Sequence, residues 1–284
     1  MVANQLRHHV LEWDGGGRTT VLCLHGFLDL AWGFAPIAPA LAAAGLHVVA
    51  PDLRGHGDSE RVGAGGYYHF LDYVFDVADL ADALARDRLV VAGHSMGGSI
   101  AAYYAGAFPA RVARLVVMEG VGVPVEPYTR FPERTAEWID SVRRARTRAP
   151  RVYPSIAAAA ARLCETDPRC DEPTALFLAE HGTRAVDGGR VFKHDPVHVT
   201  RGPYGFRLEL ARAFWERITA PTLLVDAAHS IFLMLPDLEE RYAFFRAPGT
   251  RRARIEDAAH MMIRHQPGAV AREVLAFLRE GGLA

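Results

Sequence analysis

The chain has 284 residues, half of them apolar, and a formal net charge of −1. That length buries one large core, alone or with an inserted cap. The near-neutral charge excludes a general nucleic-acid binder, which needs a concentrated positive field. No stretch approaches the ~18 apolar residues of a membrane span, and MVANQLRHHVLEWDGG at the start has no apolar signal core. The sequence therefore predicts a soluble cytoplasmic protein with no membrane partner. Its three cysteines are then expected to be reduced; Cys164 and Cys170, which bracket an Asp-Pro turn, form the pair an oxidising compartment would join.

Taken in chain order, LRHHVLEWDG reads as an extra leading strand and TTVLCLHG (19–26) as the first fully buried one. A helix over 33–44 leads to LHVVAPD (46–52), and a second over 70–86 leads to RLVVAGHS (88–95). After it come a helix over 96–107 and the strand ARLVVMEG (113–120). Beyond a break, PTLLVDA (221–227), a helix over 236–246, RRARIED (251–257) and a helix over 268–280 resume the rhythm. Strand–helix alternation with nearly continuous apolar strands predicts an α/β fold, a mostly parallel sheet of about eight strands covered on both faces. Residues 1–120 and 216–284 make this core. Residues 121–215 are too long for a connection and read as a helical cap inserted after the sixth strand, with helical pieces and no strand. Its run RRARTRAPR reads as a solvated helix face in preference to a basic binding patch.

Gly93-His94-Ser95-Met96-Gly97 follows a strand and precedes a helix. A G-x-S-x-G stretch in that setting is a nucleophile elbow, a turn too tight for bulky side chains two residues either side of the serine. The histidine that serves it belongs on the loop after the last strand, where His260 stands, with His265 and His229 as lesser candidates.

With these motifs the chain resembles the α/β-hydrolases over nearly its whole length. LCLHGF (22–27) is similar to their oxyanion-hole loop, PDLRGHGDS (51–59) to the loop after the next strand, GHSMGG to the elbow and AAHMMIRHQPGAV (258–270) to the catalytic-histidine loop. The resemblance implies Ser95 as nucleophile, His260 as base, and the backbone N–H groups of Phe27 and Met96 as the oxyanion hole. It gives His25 and His94 structural work.

Most members place the triad acid a few residues after the strand that follows the lid, and there this chain has Ser230, which can accept a hydrogen bond but carries no charge. Asp226 lies on that strand, roughly 13 Å short of the place at ~3.3 Å per residue. Glu119, ending the neighbouring strand, resembles the acid of one group of haloalkane dehalogenases and is the preferred assignment. Dehalogenases and epoxide hydrolases use an aspartate nucleophile, so Ser95 points instead to acyl transfer. A carboxylesterase acting on a small apolar ester, without metal or other cofactor, is the first expectation. A lactone or carbon–carbon hydrolase, and a non-catalytic receptor on the same fold, stand as alternatives. Tyr128, Phe131, Trp138, Phe177, Phe206 and Trp215 would either line an apolar pocket or form the cap's own core.

Overall fold

A computed structural model describes residues 1–284. Strands β1 (Val2–Ala3) and β2 (Leu6–Arg7) form an N-terminal hairpin outside the main sheet. The main sheet contains β3 (Val10–Asp14), β4 (Thr19–Leu24), β5 (His47–Pro51), β6 (Arg88–His94) and β7 (Arg114–Met118). A small separate hairpin, β8 (Thr183–Val186) with β9 (Gly189–Phe192), precedes the last two sheet strands, β10 (Thr222–Ala227) and β11 (Arg251–Ile255). The sheet order is β11-β10-β7-β6-β4-β5-β3, and only β3 runs antiparallel to its neighbour.

The sheet holds seven strands, one for each apolar run read from the sequence, against an expected count of about eight, and the leading run is cut short by a break at His8 and His9. There the His9 N–H donates to Ser59 and the His9 ring to Asp52, so the chain is tied by side chains where a ladder would have continued. The helix read over 33–44 is split as well. Pro36 and Pro39 cannot donate the backbone N–H a continuous helix needs, leaving a 3-10 turn at Ala31–Phe34 and α1 at Ala38–Ala43.

Side chains alternate along each central strand, and the two faces bury two different clusters. Leu22, Leu24, Val49, Val91, Val117 and Leu224 pack beneath α2 (Phe70–Leu84) and α3 (Met96–Ala107). Val21, Cys23, Val90, Val116 and Val225 face α1 on the other side. Strands apolar on both faces are what a helix-covered parallel sheet requires.

Residues 121–215 follow β7, the fifth strand of the sheet in chain order, not the sixth. They hold α4 (Phe131–Thr147), α5 (Ile156–Thr166), α6 (Glu172–Gly182), the β8–β9 hairpin, a 3-10 turn (Pro196–Val199) and α7 (Leu208–Trp215). The hairpin corrects the all-helical expectation. Its turn is Asp187-Gly188, and Gly188 (φ 81°) needs the left-handed conformation that glycine takes without strain.

The six aromatic residues of this segment divide between roles. Trp215 is fully buried against Phe244 and Phe245 in the main core, and Phe206 packs near it. Phe177 meets Trp32, Trp138 meets Tyr67, and Arg207 lies over Tyr128 and Phe131. Where the segment leaves the sheet, the fully buried Arg241 of α8 (Leu238–Ala243) donates to the Val121 and Val123 carbonyls and covers the Phe206 ring.

A buried ion pair ties the loop after β5 to α2. Arg54 forms a two-pronged bond with Asp76, at 2.6 and 2.5 Å, and both side chains are nearly inaccessible to solvent. Removing one partner of such a pair strands the other charge. Asp76→Ala is expected to destabilise the protein by about 3–5 kcal/mol, with Asp72 at 3.4 Å from Arg54 softening the loss. Urea midpoints of the two proteins measure it.

Candidate active site

Strand β6 turns into α3 through Ser95, whose backbone (φ 54°, ψ −119°) occupies a region that side chains strongly disfavour. Such a conformation persists only where the surroundings over-determine it. A methyl group on Gly93 would stand 2.2 Å from the Gly97 carbonyl oxygen, and one on Gly97 would stand 2.0 Å from that of Leu24. Only glycine fits at either place, so the turn stays tight and the Ser95 hydroxyl is held off the sheet.

Three side chains from distant parts of the chain meet there. Ser95 Oγ is 3.0 Å from His260 Nε2, and His260 Nδ1 is 2.7 Å from Glu119 Oε2. With the imidazole proton on Nδ1, the ring donates to the carboxylate and accepts from the serine. Asp226, the rival acid, faces elsewhere: it takes the Tyr242 hydroxyl and lies 3.4 Å from Arg252. Asp226→Asn is accordingly expected to leave kcat within about threefold of the parent, as assays on equal amounts of folded protein will register.

Glu119 is buried and held on three sides. The Ala227 N–H donates to Oε1 at 2.9 Å, while the Ser230 hydroxyl donates to Oε2 at 2.5 Å, the oxygen that also receives His260. Burial pushes this carboxyl up, but the bonds from His260, Ser230 and Ala227 outweigh it and hold it below the ordinary glutamate range. The sign for stability follows: Glu119 contributes above the ordinary carboxylate range, and the contribution fades as pH falls through its lowered value. Ser230 thus acts as a donor to the acid, a role the sequence reading missed by treating it as an acceptor. Its place, where the resemblance to the α/β-hydrolases implies a carboxylate, was the available signal.

Strain is concentrated here. Of the six non-glycine residues at positive φ, Leu28, Ser95 and Glu119 belong to the three loops that meet at this point. Phe27 is half exposed beside Leu28, and its N–H has no acceptor within the chain. Met96 is the first residue of α3, where an N–H has no partner inside its own helix. Gly26 runs against Ser95, since a methyl on it would come 3.3 Å from the Ser95 Cβ.

The surrounding histidines brace these loops. His25 bonds the Gly26 carbonyl through Nδ1 and accepts the Leu53 N–H at Nε2. His94 turns from the serine and bonds the His260 carbonyl at 2.7 Å; burial brings its pKa down to about 4, so the ring is neutral. His56 accepts the Leu28 N–H, and burial holds it well below the ordinary histidine range. His265 bonds Asp167 at the end of α5 and accepts the Ala259 N–H, which steadies the loop leading to His260.

One group of side chains has metal-ligating types, His9, Asp52 and Asp58, on the far side of the β5 loop. Its oxygens are already engaged: Lys193 sits 2.6 Å from Asp58, and Asp52 receives the Ala31 and Asp58 N–H groups. Cys23, Cys164 and Cys170 are free thiols, and no helix is long and apolar enough to cross a membrane.

A strand–elbow–helix serine meeting an imidazole and a buried carboxylate at the strand ends of a parallel sheet defines a hydrolase class. The family model described as alpha/beta hydrolase fold matches residues 19–263, and the chain belongs to that family. It is similar to a serine hydrolase-like protein of Danio rerio, 34% identical over 231 residues that cover 79% of this chain and 70% of that one. Epoxide hydrolase A of Mycobacterium tuberculosis is 34% identical over 133 residues, 47% of this chain and 40% of that protein. Among solved structures, the thioesterase domain from the curacin biosynthetic pathway superposes with a TM-score of 0.85 over 97% of both chains at 24% identity, a likeness of fold.

Proposed function

We propose that the protein is a serine carboxylesterase acting on small apolar carboxylic esters. The observation that carries the reading is the hydrogen-bonded line from Ser95 through His260 to Glu119. Ser95 Oγ attacks the ester carbonyl as His260 Nε2 takes its proton, and Glu119 stabilises the imidazolium that forms. The N–H groups of Phe27 and Met96 receive the negative oxygen of the tetrahedral intermediate. His260 then returns the proton to the departing alcohol. Water, deprotonated by the same ring, releases the acid from Ser95.

Serine in place of the aspartate used by epoxide hydrolases favours this reading over that of the Mycobacterium relative. Apolar side chains around the site favour an apolar acyl or alcohol group. The Phe232 ring lies 4.8 Å from that of His260, and Ile231 and Met234 of the same turn are largely exposed, as is half of Phe27. Residues 121–215 serve as the lid in this reading.

Two measurements test it. A fluorophosphonate should label Ser95 stoichiometrically, and p-nitrophenyl esters of increasing chain length should show turnover that changes with acyl size. Labelling without turnover on any ester would reject the substrate class. Neither labelling nor turnover would reject the enzyme.

A further inference from the structure

Every arginine of the basic run of the 121–215 segment is exposed, as a solvated helix face requires, but the five are not equivalent. Arg143 lies 3.7 Å from Asp140 and Arg146 donates to the Gly66 carbonyl, whereas the side chains of Arg144, Arg148 and Arg151 pair with no carboxylate and make no hydrogen bond. In a chain where most arginines are engaged, these three converge on one groove of about 390 Å³. Tyr153, Phe192, Pro196 and Val199 supply much of the remaining wall, and no aspartate or glutamate lines it.

The position of Arg144 and Arg148 at the C-terminal end of α4 accounts for part of this, since cations are favoured there. It does not account for Arg151, which lies beyond the helix, nor for like charges four residues apart on one face, which repel. An anion between the guanidinium groups would turn that repulsion into attraction.

We propose that this groove is a binding site for a small organic diphosphate, separate from Ser95 and independent of the chemistry assigned to it. Guanidinium forks match phosphate oxygens in pairs, and three of them balance the charge of a diphosphate group. Phe192 offers a flat apolar face for the organic body, beside the buried Tyr153 on which Arg151 is already stacked at 4.9 Å. The volume lies in the ordinary range for small-ligand sites, roughly 300–1,000 Å³. The groove also adjoins the active centre through one turn. Val199 lines the groove, while the preceding His198 ring packs 6.1 Å from that of Phe27.

Isothermal titration calorimetry on the intact protein tests the site, with ADP as the organic diphosphate, inorganic pyrophosphate for the anion alone and citrate for a carboxylate of similar charge. ADP should bind saturably, more tightly than either of the others, and more weakly as salt is raised. The triple variant R144A/R148A/R151A, with folding verified by circular dichroism, should lose affinity for ADP at least about tenfold. Absence of saturable ADP binding, or binding unaltered in the triple variant, overturns the proposal. Pyrophosphate or citrate binding as tightly as ADP overturns it as well.

Discussion

Ser95→Ala is expected to lower kcat by five to six orders of magnitude and to abolish fluorophosphonate labelling while leaving the fold intact. Loss of a nucleophilic serine costs a factor of roughly 10⁶ in the well-studied serine proteases, where the remaining rate comes from the oxyanion hole and binding. The same residue should remain here, because the Phe27 and Met96 N–H groups are untouched by the change. Alanine leaves the strained φ of 54° at this position in place. Kinetics at saturating ester and intact-protein mass spectrometry after labelling read both halves of the expectation. A variant that still labels at another residue would place the nucleophile elsewhere.

The second large effect falls on Glu119. Glu119→Gln keeps the shape of the side chain and removes its charge, and a comparable change in a serine protease lowered kcat about ten-thousandfold, which is about 5 kcal/mol of barrier. An amide at this position can also present its NH₂ group to His260 and so favour the wrong tautomer. The structure adds a rescue. Ser230 Oγ stands 2.5 Å from the carboxylate oxygen that faces His260, so a carboxylate at 230 would bring negative charge to nearly the same point. Glu119→Gln combined with Ser230→Asp is expected to recover at least about tenfold of the lost kcat. Ser230→Asp alone should reduce activity, because two carboxylates would then share one site. If the double variant is no faster than Glu119→Gln, the two positions are not interchangeable around His260.

Much of this was legible in the residues. Strands buried on both faces announce themselves as unbroken β-branched runs, and the elbow glycines admit no substitute, so VVAGHSMGG located Ser95 without coordinates. Glu119 was legible for a different reason: a parallel sheet opens its strand ends together, and β7 lies beside β6. The positive φ angles of Leu28, Ser95 and Glu119 left no trace in the sequence, because these are not residue types that favour that conformation. The direction of the Ser230 hydrogen bond was hidden too, since a hydroxyl donates or accepts according to what surrounds it. The β8–β9 hairpin had a visible signal in Asp187-Gly188-Gly189, but short strands amid helical pieces carry little periodicity. Pro36 and Pro39 were a sufficient signal to divide the first helix, which was nonetheless read as one span over 33–44.

With the carboxylate opposite His260 supplied from the end of β7, the turn at Ile231–Met234 meets the Ser95–His260–Glu119 line through the hydroxyl of Ser230 and the Phe232 ring against His260. In relatives whose acid sits on this turn, its sequence must answer to chemistry. Here its exposed positions carry no such duty, and a library randomised at Ile231 and Met234, with Phe232 kept against His260, is where selectivity should change fastest with the least damage to turnover.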